Sequence, residues 1–294
     1  DRAELSILES FLNKFFTGIK GEATGVFNIT GKPFDPQIKG NAMVENGQLT
    51  VDYLNTTYRF SGEIGMDANN INFKELNITD VANNTGKLTG NINHNTFKDI
   101  VLDLKADIDN FQVLNTSSKD NSLFYGTGYA TGNITISGPD QNLSINALAT
   151  TNKGTKIYIP LDGGENIEQK DFISFVSFAD SALTKEVISE EVSISGIKLN
   201  FDLDITPDAY IELIFDIKSG DIIRGRGNGR INMQIDTQGD FDMFGDYVIS
   251  QGGYNFTLYN IINKEFSIQP NSKISWFGDP YEGLLDIDAT YRQI

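Results

Sequence analysis

The residue types that carry most enzyme chemistry are scarce in this chain and poorly placed for it. Histidine occurs once, as His94 in the polar stretch GNINHNTF, and cysteine is absent. With no thiolate and no second imidazole, a structural zinc site is not expected. A Ser–His–Asp machine would have to recruit His94, and no serine stands in a Gly-x-Ser-x-Gly elbow. Carboxylates are plentiful, with Asp103, Asp107 and Asp109 in one stretch and Asp202, Asp204 and Asp208 in another. Glycoside hydrolysis needs two such groups facing one bond. These acids alternate with apolar residues, so a solvated sheet face accounts for them. DLDITPD also lacks the glycine and distal glutamate of a calcium loop. GRGNGR (Gly225–Arg230) is not Gly-x-Gly-x-x-Gly and leads into the strand-like INMQID, so the helix terminus of a phosphate cradle is missing. Arg224, Arg226 and Arg230 are expected on one side of a strand, answering acids on its neighbours; the other reading sets them against lipid headgroups at a groove rim. No catalysis, metal or cofactor is expected.

The elements that hold these residues are β-strands, read from period-two alternation punctuated by Gly, Asn and Asp. Ile100, Leu102, Leu104, Ala106 and Ile108 alternate with Asp103, Lys105 and Asp107. Ile197, Leu199, Phe201, Leu203 and Ile205 do the same around Lys198, Asn200, Asp202 and Asp204. Ile231, Met233 and Ile235, Phe256 and Leu258, Ile274 and Trp276, and Leu285 and Ile287 extend the pattern. Such strands are dry on one face and wet on the other. Two stretches have helical spacing instead: ELSILESFLNKFF, through Leu5, Leu8, Leu12 and Phe15 or Phe16, and KDFISFVSFADSALTKEV, through Phe172, Val176, Leu183 and Val187. Each is a candidate to cap an end or cover an apolar surface, or to be an ordinary helix packed on a sheet.

A loose repeat runs through the chain. ATGVFNITG, ATGNITISG and GNGRINMQI share a shape, with Gly25 and Gly132 lying 107 residues apart and Gly132 and Gly229 97 apart. Leu102 and Leu199 recur at the same 97. Units of about this size (1–124, 125–221 and 222–294) suggest one elongated array. The net charge of −17 and pI near 4.4 argue against nucleic acid and against attachment to an anionic lipid surface. They leave uncharged contacts with lipid tails open. No run of 18 apolar residues would span a bilayer as a helix, and DRAELSILES has no signal-peptide core. The chain reads as a segment of something longer.

Against that frame, PDAYIELIFDIKSGDIIRGRGNGRINMQIDTQGDFDMFGDYVISQGGYNFTLYNIINKEFSIQPNSKISWFGDPYEGLLDIDATY, from Pro207 to Tyr291, resembles the C-terminal region of the TamB family of Gram-negative envelopes, in wording closest to Bacteroidetes forms. ATGVFNITGKPFDPQIKGNAMVENGQLTVDYLNTTY (Ala23–Tyr58) looks like an earlier repeat of the same family. The resemblance places the TamB domain at about 200–294 and beyond. It implies an all-β, elongated curled sheet (a β-taco, or repeating β-groove) with an apolar interior. It also implies a periplasmic location, an inner-membrane helix outside this stretch, and docking on a TamA-type barrel of the BamA family through regions C-terminal to it. The implied function is a conduit for phospholipid acyl chains between the two membranes that supports outer-membrane biogenesis and protein assembly.

Strands dry on one side can curl around such a trough. At about 4.8 Å per strand, 18–20 strands would run near 90 Å. The residues expected to meet tails are Ile100, Leu102, Leu104, Ile108, Ile197, Leu199, Phe201, Leu203, Ile231, Met233, Ile235, Phe256, Leu258, Ile274, Trp276, Leu285 and Ile287. Two other classes fit a β-repeat: a polysaccharide-active enzyme on a parallel β-helix, whose coils of about 22–25 residues the long period disfavours, and an adhesin with a sealed core.

Overall fold

The period-two pattern is realised as strands almost throughout. The computed structural model describes residues 2–9, 16–32, 35–96, 98–161, 196–216, 219–236, 240–258 and 262–292. The first eight strands are β1 (Arg2–Glu4), β2 (Phe16–Lys32), β3 (Asp35–Val51), β4 (Thr56–Asp67), β5 (Asn70–Thr79), β6 (Thr85–Asn95), β7 (Lys98–Thr116) and β8 (Tyr125–Pro139). Shorter strands follow: β9 (Leu143–Thr151), β10 (Lys156–Pro160), β11 (Ile197–Ile205) and β12 (Tyr210–Asp216). The chain then runs through β13 (Asp221–Asp236), β14 (Phe241–Leu258), β15 (Ile262–Ile268), β16 (Ser272–Gly278), β17 (Leu284–Asp286) and β18 (Ala289–Thr290). All eighteen belong to one sheet.

From β1 to β8 each strand pairs antiparallel with the next. Beyond β8 the strands come as colinear pairs. β9 lies along residues 130–137 of β8 and β10 along residues 125–127, two lengths of one line broken at residues 152–155. β11 and β12 run parallel to them and are broken at residues 206–209. β13 pairs antiparallel with both, and β14 with β13. β15 with β16, then β18 with β17, share the last two lines. The eighteen strands thus fill fourteen positions across the sheet. At about 4.8 Å per position the sheet runs roughly 60 Å, not the 90 Å expected when every strand takes its own place.

Irregularities of register recur near the middle of the long strands. They fall near Lys20 in β2, between Val44 and Gly47 in β3, Gly62 and Ile64 in β4, and Phe73 and Leu76 in β5. They return between Ile108 and Leu114 in β7 and between Arg226 and Gly227 in β13. In the colinear pairs the strand simply stops. Bulges bend a strand and sharpen its twist, so the sheet folds along this crease into two facing walls. Phe124, from the start of β8, meets Phe201 of β11 across the fold, ring centroids 6.5 Å apart and edge-on. At Gly245 φ is +119° and a Cβ would stand 2.1 Å from the Arg230 carbonyl oxygen. Only glycine lets β14 pass there between Ile231 and Trp276.

Where β7 outruns its neighbour, side chains replace the ladder. β6 pairs β7 only as far as Ile108. Further on, the fully buried Asp80 carboxylate accepts from the Gln112 backbone N–H at 2.9 Å, and from the N–H groups of Ala82 and Asn84 at 2.8 Å. Tyr58 Oη donates to the Gln112 carbonyl at 2.9 Å, and Asn55 Nδ2 to that of Asn115 at 2.9 Å. Backbone groups that would otherwise be orphaned are thereby satisfied.

At the start of the chain Leu5–Leu8 is a 3-10 turn and Glu9 is helical; the rest of the stretch with helical spacing, residues 10–15 with Leu12 and Phe15, lies outside the described set. Leu5 packs with Ile19 and Val44 in a buried cluster, and the chain is in β2 by Phe16. The second helical stretch, with Phe172, Val176 and Leu183, lies outside the described residues.

Burial raises the Tyr58 hydroxyl to about 12. A raised folded pKa leaves its stability contribution intact below the unfolded value near 10 and removes it as pH climbs towards 12. Urea midpoints should therefore hold up to about pH 10 and fall above it, and Tyr58→Phe should fall less steeply. A variant with an unchanged alkaline slope would contradict this.

Candidate functional site

The inner face is apolar in rows that cross the sheet at right angles to the strands. One row runs Gly25, Ala42, Ile64, Phe73, Gly90, Leu104, Ile136, Ile145, Leu199, Ile235 and Phe241, each paired with the next on eleven successive lines. A second runs Ala23, Val44, Gly62, Leu76, Leu88, Ala106, Ile134, Ala147, Phe201, Met233, Met243 and Gly278. A third, nearer the crease, runs Gly47, Phe60, Ile78, Gly86, Ile108, Gly132, Ala149, Leu203, Ile231, Gly245 and Trp276. No polar side chain interrupts any of the three.

The opposite face is largely polar and tied together by its own contacts, with Leu148, Phe244 and Phe277 as exposed apolar exceptions. Asn72 Nδ2 donates to Asn91 Oδ1 at 2.7 Å and Asn200 Nδ2 to Asn146 Oδ1 at 3.0 Å. Arg230 grips both oxygens of Asp202 at 3.1 Å, and Arg224 pairs with Glu265 at 2.6 Å. Arg230 therefore answers an acid on the adjoining strand and Arg224 one on the next strand but one; Arg226 donates instead to the carbonyls of Pro207 and Asp208. His94 is buried, and burial lowers its imidazole pKa. Among the described residues no group of acids and histidine converges as a metal site.

The rows are covered unevenly. From β9 onwards the two walls close on each other: Leu199, Ile231, Met233, Ile235, Ile274 and Trp276 sit in one buried cluster with Leu213, Ile223 and Ile249. Leu199 is 1% exposed. Trp276 is locked by its Nε1 donating to the Pro280 carbonyl at 3.1 Å. Leu5 closes the β2 end over Ile19 and Val44. Between these closures lies an open field. Met66, Ile71, Phe73, Leu88, Ile92, Ile100 and Leu104 are half-buried and belong to none of the three buried clusters.

The residues expected to line a trough therefore divide. Leu104 and Ile100 face the open field, Leu102 is half-buried against the closed cluster, and Ile108 is buried where the crease begins. Ile197 and Leu199 are buried in the closed half, with Phe201 and Leu203 half-buried against it. Ile231, Met233, Ile235, Ile274 and Trp276 are its packed interior. Phe256 is half-buried beside Tyr254 on the second wall, ring centroids 6.0 Å apart; Leu258 ends β14, its side chain outside the described set. Leu285 is 47% exposed on the edge strand, and Ile287 borders the closed cluster in the break after it. Ile71 and Phe73 escaped sequence reading because the bulge between Phe73 and Leu76 breaks the alternation of β5, and Leu88 and Ile92 because Gly90 stands at the inward position between them on β6.

Truncation separates the closed half from the open one. Leu199→Ala should cost about 3 kcal/mol or more of unfolding free energy, and Leu104→Ala only about 1 kcal/mol. Equal shifts of the urea midpoint would contradict the difference.

Comparison with known proteins bears on this geometry in one place. No curated protein and no solved structure matches the chain. The family model described as TamB C-terminal domain matches residues 72–293, reaching well upstream of Pro207. That span takes in the open field from β5 onwards and the whole closed half, and an all-β curled sheet is the architecture observed. The chain belongs to the TamB family, and so to the proteins that serve envelope assembly and lipid transport in Gram-negative bacteria.

Proposed function

We propose that this protein holds phospholipid acyl chains on the inner face of β4–β8, as one stretch of a periplasmic path between the inner and outer membranes. The observation that carries the reading is the set of uninterrupted apolar rows, whose side chains around Phe73 and Leu104, with Ile92 beside them, are only half-buried and join no buried cluster. Burying a methylene is worth about 0.8 kcal/mol, so a tail in open water costs on the order of 10 kcal/mol. A row of Ile, Leu and Phe side chains offsets most of that without any reaction. From β4 to β8 the rows span four strand spacings, about 19 Å. One leaflet of a bilayer core is about 15 Å thick, so the field has room for the length of a tail. In this reading the closed half ends the tail-binding field, and the protein works with a TamA-type outer-membrane barrel in outer-membrane biogenesis, a partnership that family membership supports in general terms.

A second reading, a packed structural rod, draws on the buried cluster of β9–β16. Photo-crosslinking in cells separates the two. A photoreactive residue replacing Ile92 or Leu104 should capture phospholipid, and one replacing Asp103 on the outer face should not. Capture from neither inner position, or equally from Asp103, would leave the rod as the better account.

A further inference from the structure

The outer face carries a feature that the acyl-chain field does not use. In a chain with a net charge of −17, Lys156, Tyr210 and Arg226 fall side by side on β10, β12 and β13 by register. Lys156 Nζ lies 5.3 Å from the centre of the Tyr210 ring and 4.9 Å from that of Tyr158. The Arg226 guanidinium lies 6.0 Å from the Tyr210 ring. Beside them the sheet surface is dished into a depression of about 360 Å³, lined by Gly154, Thr155, Lys156, Tyr210 and Arg226.

Among the described residues neither cation forms an ion pair, whereas the neighbouring Arg224 is neutralised by Glu265. Glu212, whose charge also acts on Lys156, accepts from Tyr210 Oη at 2.8 Å, and Lys156 spends one donor on Tyr158. Arg226 is fixed rather than free. Its Nη1 donates to the carbonyls of Pro207 and Asp208 at 3.2 and 2.5 Å, and the rest of its fork has no acceptor among the described residues. Two like charges flanking one ring, 5.3 and 6.0 Å from its centre and with donors left over, form an arrangement that an anion completes.

We infer that Lys156, Tyr210 and Arg226 form a binding site for a phosphoryl group on the outside of the crease. A carboxylate has two oxygens in one plane, which an arginine fork alone can satisfy. A phosphate ester turns oxygens in several directions and can take donors from the fixed Arg226 fork and from the flexible Lys156 ammonium at once when Lys156 reaches over the ring edge. The site lies on the opposite face of the sheet from the acyl-chain field, so it does not rest on that reading. Its phosphoryl group comes either from a soluble phosphate ester or from a lipid headgroup at a bilayer surface.

The test is a titration of the protein, ¹⁵N-labelled at lysine, tyrosine and arginine, with glycerol phosphate and with acetate at fixed ionic strength. Flotation with phosphatidylglycerol vesicles runs in parallel. Glycerol phosphate should give saturable shifts at Lys156, Tyr210 and Arg226, and the Lys156→Gln/Arg226→Gln variant should bind at least about tenfold more weakly. Soluble binding without flotation assigns a soluble ester. Flotation lost in the variant assigns a headgroup. Equal saturation by acetate, shifts unchanged in the variant, or no response to either phosphate source would overturn the site. The variant's unfolding midpoint checks its fold, and lipid capture from Ile92 should stay as in the parent, keeping failure here distinct from failure of the acyl-chain reading.

Discussion

Register governs this molecule. A strand exposes alternate side chains to opposite faces, so a slip of one residue anywhere would turn a dry face outward from that strand on. The pairing avoids this over eleven or more successive lines, even though several of the long strands are bulged. Each bulge restores the phase it interrupts: β5 carries Ile71 and Phe73 inward, spends Lys74 and Glu75 at the bulge, then resumes with Leu76 and Ile78. The same irregularities crease the sheet into two walls. Continuity of the apolar rows and curvature of the sheet thus have one source.

What differs along the sheet is how the dry face is covered. In the last third the two walls are close enough for Leu199, Ile231 and Trp276 to pack as a protein interior. Within one wall glycine alternates with large residues, as at Gly245 between Ile231 and Trp276 on the flanking strands, so the large side chains have room beside each other. Over β4–β7 one wall stands without such partners, while the polar work is done at the crease by Asp80, Tyr58 and Gln112. Large apolar side chains that stay only half-buried on a face this continuous are what the proposed acyl-chain partner would cover. That is the link from packing to function.

Much of this was legible in the residues. The alternation of β7, β11 and β13 named the dry faces correctly, and the acids between them are on the wet side. The wording of the last 90 or so residues led to the family. Other features were not legible, for physical reasons. Splitting of one line into β9 and β10 depends on a turn at residues 152–155 that only the neighbours' register reveals. The helical spacing of Leu5, Leu8 and Leu12 carried no information about Ile19 and Val44, which bury Leu5. Above all, alternation identifies a dry face but not what dries it. Leu104 and Leu199 are adjacent in the same row but two lines, and look alike in sequence; one faces an open field and the other a sealed core.

The absence of cysteine allows the central claim to be tested directly with single cysteines at Leu104, Ile231 and Asp103, each bearing an environment-sensitive fluorophore and titrated with a long-chain fatty acid. The account predicts a saturable spectral change at Leu104 alone, where the dry face is open to hydrocarbon. A response equal at Asp103, or none at Leu104 while the protein remains folded, would contradict it.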